Sequence, residues 1–223
     1  MVYYITSDLH LGSRHSETEL FLKFLKTLPT QDCTLVLNGD TLNRRWTVYS
    51  KKENEVLATL ADLSNKIRVV WLQGNHDRKL KPEQSGSIEF LPYLAVGTAM
   101  ILHGHSFDLI MKINRPFVWI FRLSHLILDF FKTESLHVSA FAKRFKFLYT
   151  VLRNHVRSNA LTFAVKKGFK IIICGHTHYC EDTEVNGIRY INTGSWLERP
   201  VHYALLGCDG RISIQQFNVQ DAV

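Results

Sequence analysis

A chain of 223 residues is long enough for one domain with a substantial core and short for two. With 46% hydrophobic and 21% charged residues it is neither disordered nor collagen-like in composition, and nothing repeats internally. The net charge of +7 and pI of about 9.3 would ordinarily point to nucleic acid or an anionic membrane surface. The excess is local, however: residues 111–159 hold nine Lys or Arg against Asp129 and Glu134, and the remainder is balanced.

In chain order, residues 2–6 are a short apolar run that predicts the first strand. Ser16-Glu17-Thr18-Glu19 has the form of a capping box, and Leu20, Phe21, Phe24 and Leu25 follow at helical spacing. Residues 33–37 predict the second strand. Ser50-Lys51-Lys52-Glu53 is a second capping box, ahead of Val56, Leu57, Leu60 and Leu63 as the stripe of a second helix. Residues 67–72 predict the third strand, and the β-α-β-α-β order predicts parallel neighbours joined by right-handed crossovers.

The basic segment reads as two helices. Residues 117–131 are apolar except at Arg122, Ser124, His125 and Asp129, and Arg122, His125 and Asp129 share a face. A second stretch carries Phe141, Phe145, Leu148 and Leu152 among basic residues. No run reaches the roughly 18 apolar residues that span a bilayer. Residues 169–174 predict another strand, and Asn186-Gly187 and Asp209-Gly210 are the dipeptides preferred by type I′ hairpin turns. Hairpins after parallel strands predict a mixed sheet or two-sheet sandwich with flanking helices. The N-terminal residues lack the basic and apolar regions of a signal peptide, and Cys33, Cys174, Cys180 and Cys208 form no C-x-x-C pair, so a cytoplasmic protein with reduced thiols is expected.

Polar residues gather where the predicted strands stop. The first strand leads into Asp8-Leu9-His10, the second into Asn38-Gly39-Asp40, and the third into Gly74-Asn75-His76-Asp77; His103-Gly104-His105 and Gly175-His176-Thr177-His178 follow later runs. A lone core histidine is more often a hydrogen-bonded structural residue, and D-x-H arises by chance, but five such motifs at strand ends are not explained that way. Carboxylate and imidazole donors without clustered thiolates suit Mn, Fe or Zn rather than a structural zinc or iron–sulfur site.

In this order the motifs resemble those of the calcineurin-like metallophosphoesterase superfamily. The resemblance implies an α/β fold, a four-layer α-β-β-α sandwich spanning 1–223 as a single domain, with a helical basic and apolar insertion at 112–160. Because that insertion lies between His103 and His176, it is expected to act as a lid. The resemblance further implies two divalent metals, Mn²⁺ foremost with Fe or Zn as alternatives. Asp8, His10, Asp40 and His178 would hold one, and Asp40, Asn75, His103 and His176 the other, with Asp40 bridging. A shared carboxylate can hold two cations about 3.5–4 Å apart, where water loses a proton near neutral pH and phosphate oxygens are clamped. His76 is then placed to stabilise phosphoryl charge or protonate the leaving oxygen. Asp77 is expected to orient that imidazole, start a helix or support the ligands, and His105 to support them from behind.

Within the superfamily the chain is similar to the UDP-2,3-diacylglucosamine hydrolases of lipid A synthesis. The likeness runs over Ser7-Asp8-Leu9-His10-Leu11-Gly12, Asn38-Gly39-Asp40, His103-Gly104-His105-Ser106-Phe107-Asp108 and Tyr190-Ile191-Asn192-Thr193-Gly194-Ser195-Trp196. It implies pyrophosphate hydrolysis that releases UMP and a lipid monophosphate. The insertion would meet anionic headgroups on the inner face of the cytoplasmic membrane. Arg14, Arg44, Arg45, Arg78, Asp108, Arg157 and Asn159 are the candidate headgroup contacts. The chain departs from those enzymes at His76, where they have arginine. Two rivals remain: a nucleotide or nucleic-acid phosphodiesterase of the same superfamily, marked by exposed aromatic platforms, and a non-catalytic binding protein, marked by lost ligands.

Overall fold

The computed structural model describes residues 1–43, 48–78, 80–109, 146–218 and 220. Arg44, Arg45 and most of the expected insertion, including Arg122, His125, Asp129, Phe141 and Phe145, lie outside the described residues.

The first sheet is ordered β11-β10-β1-β2-β3-β4. Its centre is β1 (Val2–Thr6), β2 (Cys33–Asn38) and β3 (Arg68–Leu72), all parallel as the crossover rule requires, with β4 (Glu89–Leu91) parallel to β3. β10 (Val201–Gly207) runs antiparallel to both β1 and β11 (Ile212–Phe217). The second sheet is ordered β5-β6-β7-β9-β8. In it β6 (Ala99–Ile101), β7 (Ile171–Cys174) and β9 (Ile188–Thr193) are parallel, while β5 (Leu94–Val96) and β8 (Cys180–Val185) are antiparallel edges. The Asn186-Gly187 turn joins β8 to β9, and the loop containing Asp209-Gly210 joins β10 to β11, as their dipeptides predict.

Strand alternation sorts the apolar residues into three cores. Leu35, Leu37, Val69 and Trp71 face outward against Phe21, Phe24, Val56 and Leu60 of α1 (Thr18–Thr27) and α2 (Lys51–Leu63). Their neighbours Val36, Val70 and Leu72 face inward with Ile101, Ile171, Ile173 and Ile191 of the other sheet. On the far side, Ile172, Cys174 and Tyr190 pack against Val156, Ala160 and Ala164 of α3 (Lys146–Lys167). Three cores separate four layers, so the α-β-β-α order follows from the burial pattern. Strands buried on both faces carry near-continuous apolar runs, as Leu35-Val36-Leu37 of β2 shows.

Two local expectations need correcting. The first capping box does not form: α1 begins at Thr18 with Glu17 as its cap and no side-chain bond. The Ser16 hydroxyl instead donates to the Leu9 carbonyl (2.9 Å), while Glu19 pairs with Lys52 of α2. The stripe expected for the second helix of the insertion also differs. Leu148 is exposed, and α3 buries Val156, Ala160 and Ala164. Among the described residues no helix is long and apolar enough to cross a membrane.

Candidate metal centre

Parallel strands share a direction, so β1, β2 and β3 in one sheet, and β6 and β7 in the other, each end at a common edge. There the chain turns sharply. Asp8, His10, Asp40, His176 and His178 all have left-handed backbones, with φ between 50° and 67°. Only Asp32 and Asn186 join them among the described non-glycine residues. Such conformations cost roughly 1–3 kcal/mol each and persist where the surroundings impose them. Two glycines admit the close approach: a Cβ on Gly74 would lie 2.0 Å from Asp40 Oδ1, and one on Gly175 would lie 2.3 Å from Asp8 Oδ2.

The two central carboxylates divide their oxygens in the same way. Asp8 Oδ2 accepts the backbone N–H of His176 (2.9 Å), and Asp40 Oδ1 accepts that of His76 (2.7 Å). The other oxygen of each turns to the imidazoles. Asp8 Oδ1 lies 3.1 Å from His178 Nε2 and 3.7 Å from His10 Nε2. Asp40 Oδ2 lies 3.2 Å from His103 Nε2, 3.9 Å from His10 Nε2 and 4.0 Å from His76 Nε2. The ligand atoms form three overlapping triads, Asp8–His10–His178, Asp8–Asp40–His103 and His10–Asp40–His76, each within 4.8 Å.

This donor set fits divalent cations. Asp8 Oδ1 and His103 Nε2 are fully buried, and neither makes an aligned hydrogen bond despite neighbours near 3 Å. Lone pairs that close and that poorly aligned converge on the space between them, as ligands of a common cation do. His103 Nδ1 donates to the Asn38 carbonyl (2.9 Å) and His76 Nδ1 to that of Asn43 (2.6 Å), which leaves Nε2 of both rings for the centre.

The electrostatics agree with that geometry. Burial would raise the pKa of both carboxylates, but His103, with His178 beside Asp8, holds Asp8 well below the usual range and Asp40 below it too. Burial alone would lower His103; Asp40 and Asp8 overcome it and lift this imidazole to about 10. Burial depresses His178 and His76 despite nearby carboxylates. Asp77 is raised, by burial first and then by the charge of Asp40.

Asp77 does not touch the His76 ring. Its Oδ2 accepts from Thr41 N (2.8 Å) and Trp71 Nε1 (3.0 Å), and its Oδ1 from Gly74 N (2.8 Å), so it ties the end of β3 to the loop after β2. His105 sits behind the ligands, its ring 5.6 Å from that of His103 and 6.5 Å from that of His176. Asn75 is exposed on the turn between Gly74 and His76. Arg14 is exposed beside His15, and Arg78 is exposed. Arg157 pairs with Glu181, Asn159 donates to the Phe107 carbonyl (2.9 Å), and Asp108 is buried against His176.

Several supporting residues escape a motif search. Glu53 of the α2 capping box also accepts from Gly12 N (2.6 Å), steadying the loop after His10. Asn192 donates to the Gly175 carbonyl (2.6 Å), and the Tyr149 hydroxyl to the Thr177 carbonyl (2.7 Å), between the two histidines of that loop. Asn192 lies in the stretch 190–196 that carries the resemblance. Glu53 is visible as a cap, but its second role depends on a contact across 41 residues, and Tyr149 has no local signal.

Carboxylates and imidazoles converging from the strand ends of two facing sheets define a metal-dependent hydrolase built on an α-β-β-α sandwich. The sequence profile described as calcineurin-like phosphoesterase matches residues 1–180. The chain belongs to that family, and it is accordingly a metal-dependent phosphoester hydrolase; the family uses two metals, and the triads above are the candidate groups to hold them. No curated protein matches it by sequence. Among solved structures, an archaeal phosphodiesterase is 16% identical with a TM-score of 0.50, the match covering 97% of this chain and 99% of that one. The phosphoesterase YfcE from E. coli is 16% identical with a TM-score of 0.48, covering 98% and 100%. Vps29 from Entamoeba histolytica complexed with Zn²⁺ has the same identity, TM-score and coverage. At these identities the first likeness speaks to the fold alone.

Proposed function

We propose that this phosphoesterase hydrolyses the pyrophosphate of a nucleotide-linked lipid such as UDP-2,3-diacylglucosamine, giving UMP and a lipid monophosphate. The observation that supports this reading is an apolar surface attached to the metal centre. The first turns of α3 expose Phe147 (79%), Leu148 and Val151, while Tyr149 of the same turns is bonded to the loop between His176 and His178. Leu109, directly after Asp108, is exposed as well. Such a surface suits acyl chains, and the positive excess of residues 111–159 suits anionic headgroups at a membrane surface.

When bound, two divalent cations, for which Mn²⁺ is the first choice, supply Lewis acidity to phosphate oxygens and lower the pKa of water. The chain's own residues do the rest. Asp8 and Asp40 remain ionised and fix the ligand loops through their second oxygens. His76, anchored at Nδ1, exchanges protons at Nε2, the nitrogen that faces Asp40. That is where a leaving oxygen or a phosphoryl oxygen would be met.

A second reading, a nucleotide or nucleic-acid phosphodiesterase, is favoured by Tyr179, a half-exposed ring after His178 with the Arg153 guanidinium 4.2 Å from its centre. A product assay with Mn²⁺ on UDP-2,3-diacylglucosamine, a CDP-lipid, an aryl phosphodiester and single-stranded DNA separates the two. UMP release from the first substrate is expected. Hydrolysis of DNA alone overturns the lipid reading. Serine at 147, 148 and 151 together should depress lipid turnover well below that of the aryl ester.

A further inference from the structure

His176 is held at two points. Its backbone N–H donates to Asp8 Oδ2 (2.9 Å), which fixes the main chain at the centre. Its ring Nε2 lies 3.0 Å from Asp108 Oδ2, with the Asp108 side chain 3% exposed and the His176 side chain 18% exposed. Asp108 follows the 3-10 turn His105–Phe107 directly, so the segment that begins with the ligand His103 also delivers the carboxylate that meets His176. The turn is fastened in its own right. Phe107 N donates to the Gly104 carbonyl (3.0 Å), and Asn159 Nδ2 of α3 donates to the Phe107 carbonyl (2.9 Å) while lying 3.0 Å from His155 Nε2. A chain of contacts thus runs from α3 through the turn and Asp108 to the His176 imidazole.

We infer that Asp108 is the positioning residue of His176, in place of the headgroup contact that sequence position suggests. A carboxylate oxygen at Nε2 can only accept from a protonated nitrogen, so the lone pair of the ring resides on Nδ1. The ring lies 5.5 Å from that of His103, whose Nε2 meets both Asp8 and Asp40. Metal-ligating histidines commonly donate their other N–H to a carboxylate, which fixes tautomer and orientation and strengthens the ligand; loss of that partner typically weakens metal binding about 10–100-fold. His176 therefore ligates through Nδ1, and Asp108 acts on the metal through it without touching substrate. This assignment rests on the two-metal centre.

The test is Co²⁺ titration of the metal-free full-length chain, followed by calorimetry and by the visible spectrum, which responds to the orientation of an imidazole ligand. The wild-type chain should take up two Co²⁺. Asp108→Ala should bind one of them about 10–100-fold more weakly, with a shifted band. Asp108→Asn, whose amide oxygen still accepts from Nε2–H, should recover most of the affinity with a smaller shift, and it carries the test if the alanine variant does not fold. Unchanged affinity and spectrum in both variants overturn the assignment, as does a raised KM with unaltered Co²⁺ binding, which would return Asp108 to the substrate. Uptake of fewer than two Co²⁺ by the wild-type chain overturns the dinuclear centre itself and this inference with it.

Discussion

Asp40 gives Oδ1 to the amide of His76 and Oδ2 to the imidazoles, so its removal disturbs both the loop and the centre. Asp40→Ala should abolish metal-dependent phosphodiester hydrolysis and lower the metal stoichiometry measured by elemental analysis; retained activity would sink the two-metal mechanism. His76→Ala should keep its metals and slow turnover by roughly 10²–10⁴-fold. The pH response of the chelated protein belongs to the same residues. His103 is raised from 6.5 to about 10, so its charge stabilises the fold fully below pH 6.5, and that contribution disappears as pH climbs through about 10. Asp8 and Asp40 are lowered, so their contribution is present above the ordinary 3.8 and lost on acidification. Calorimetry of chelated protein should show the melting temperature falling between pH 6.5 and 10, with a flatter slope in His103→Gln. These residues were legible because D-x-H, G-D, H-G-H and G-H-T-H each end an apolar run. Asn43 was not, because it contributes only a carbonyl that any residue could supply.

At the scale of elements, identical local patterns met different fates. Ser50 and Glu53 form their box and cap α2, whereas Ser16 gives its hydroxyl to the Leu9 carbonyl and Glu19 faces Lys52. Local sequence offers a cap; tertiary contacts decide whether it is used. Glu53→Ala removes the reciprocal half of the α2 capping box and the anchor of Gly12. It should cost about 1–2 kcal/mol by urea denaturation, together with weaker metal binding through the His10 loop. For the second helix of the insertion the sequence emphasised large residues at 141, 145, 148 and 152, but α3 packs on the second sheet through Val156, Ala160 and Ala164. Alanines bring a helix close to a sheet while contributing little to an apolar stripe, which is why the packed face was overlooked. Ala160, fully buried, has no room for extension; Ala160→Leu should lose about 1–3 kcal/mol by the same measurement.

In the whole molecule, the ligand triads take Asp8, His10, Asp40 and His76 from one sheet and His103 and His178 from the other. Cations held there tie the sheets together across the middle core, and ligands that bind only the folded state stabilise it by mass action. With free metal at 100 times its dissociation constant the gain is about 2.7 kcal/mol per site, or roughly 5–11 °C in a chain of this size. Chelation empties both sites, so it should lower the melting temperature by about twice that, roughly 11–22 °C, and restoring metal should reverse it. The first sheet could be read in part, because β-α-β connections force β1, β2 and β3 into parallel neighbours. The second could not: β5 and β6 are three residues each, and β6 pairs with β7 across the whole insertion.

The closeness of His10 to His178, 3.3 Å apart in space and 168 residues apart in sequence, also sets an order in time. During synthesis the first ligands leave the ribosome long before the last exist, so the early chain carries half a centre at most. Both sheets must be laid down and brought face to face before a cation finds its full set of donors. A full donor set therefore requires that residue 10 and residue 178 have met, so complete metal binding reports that both sheets are in place.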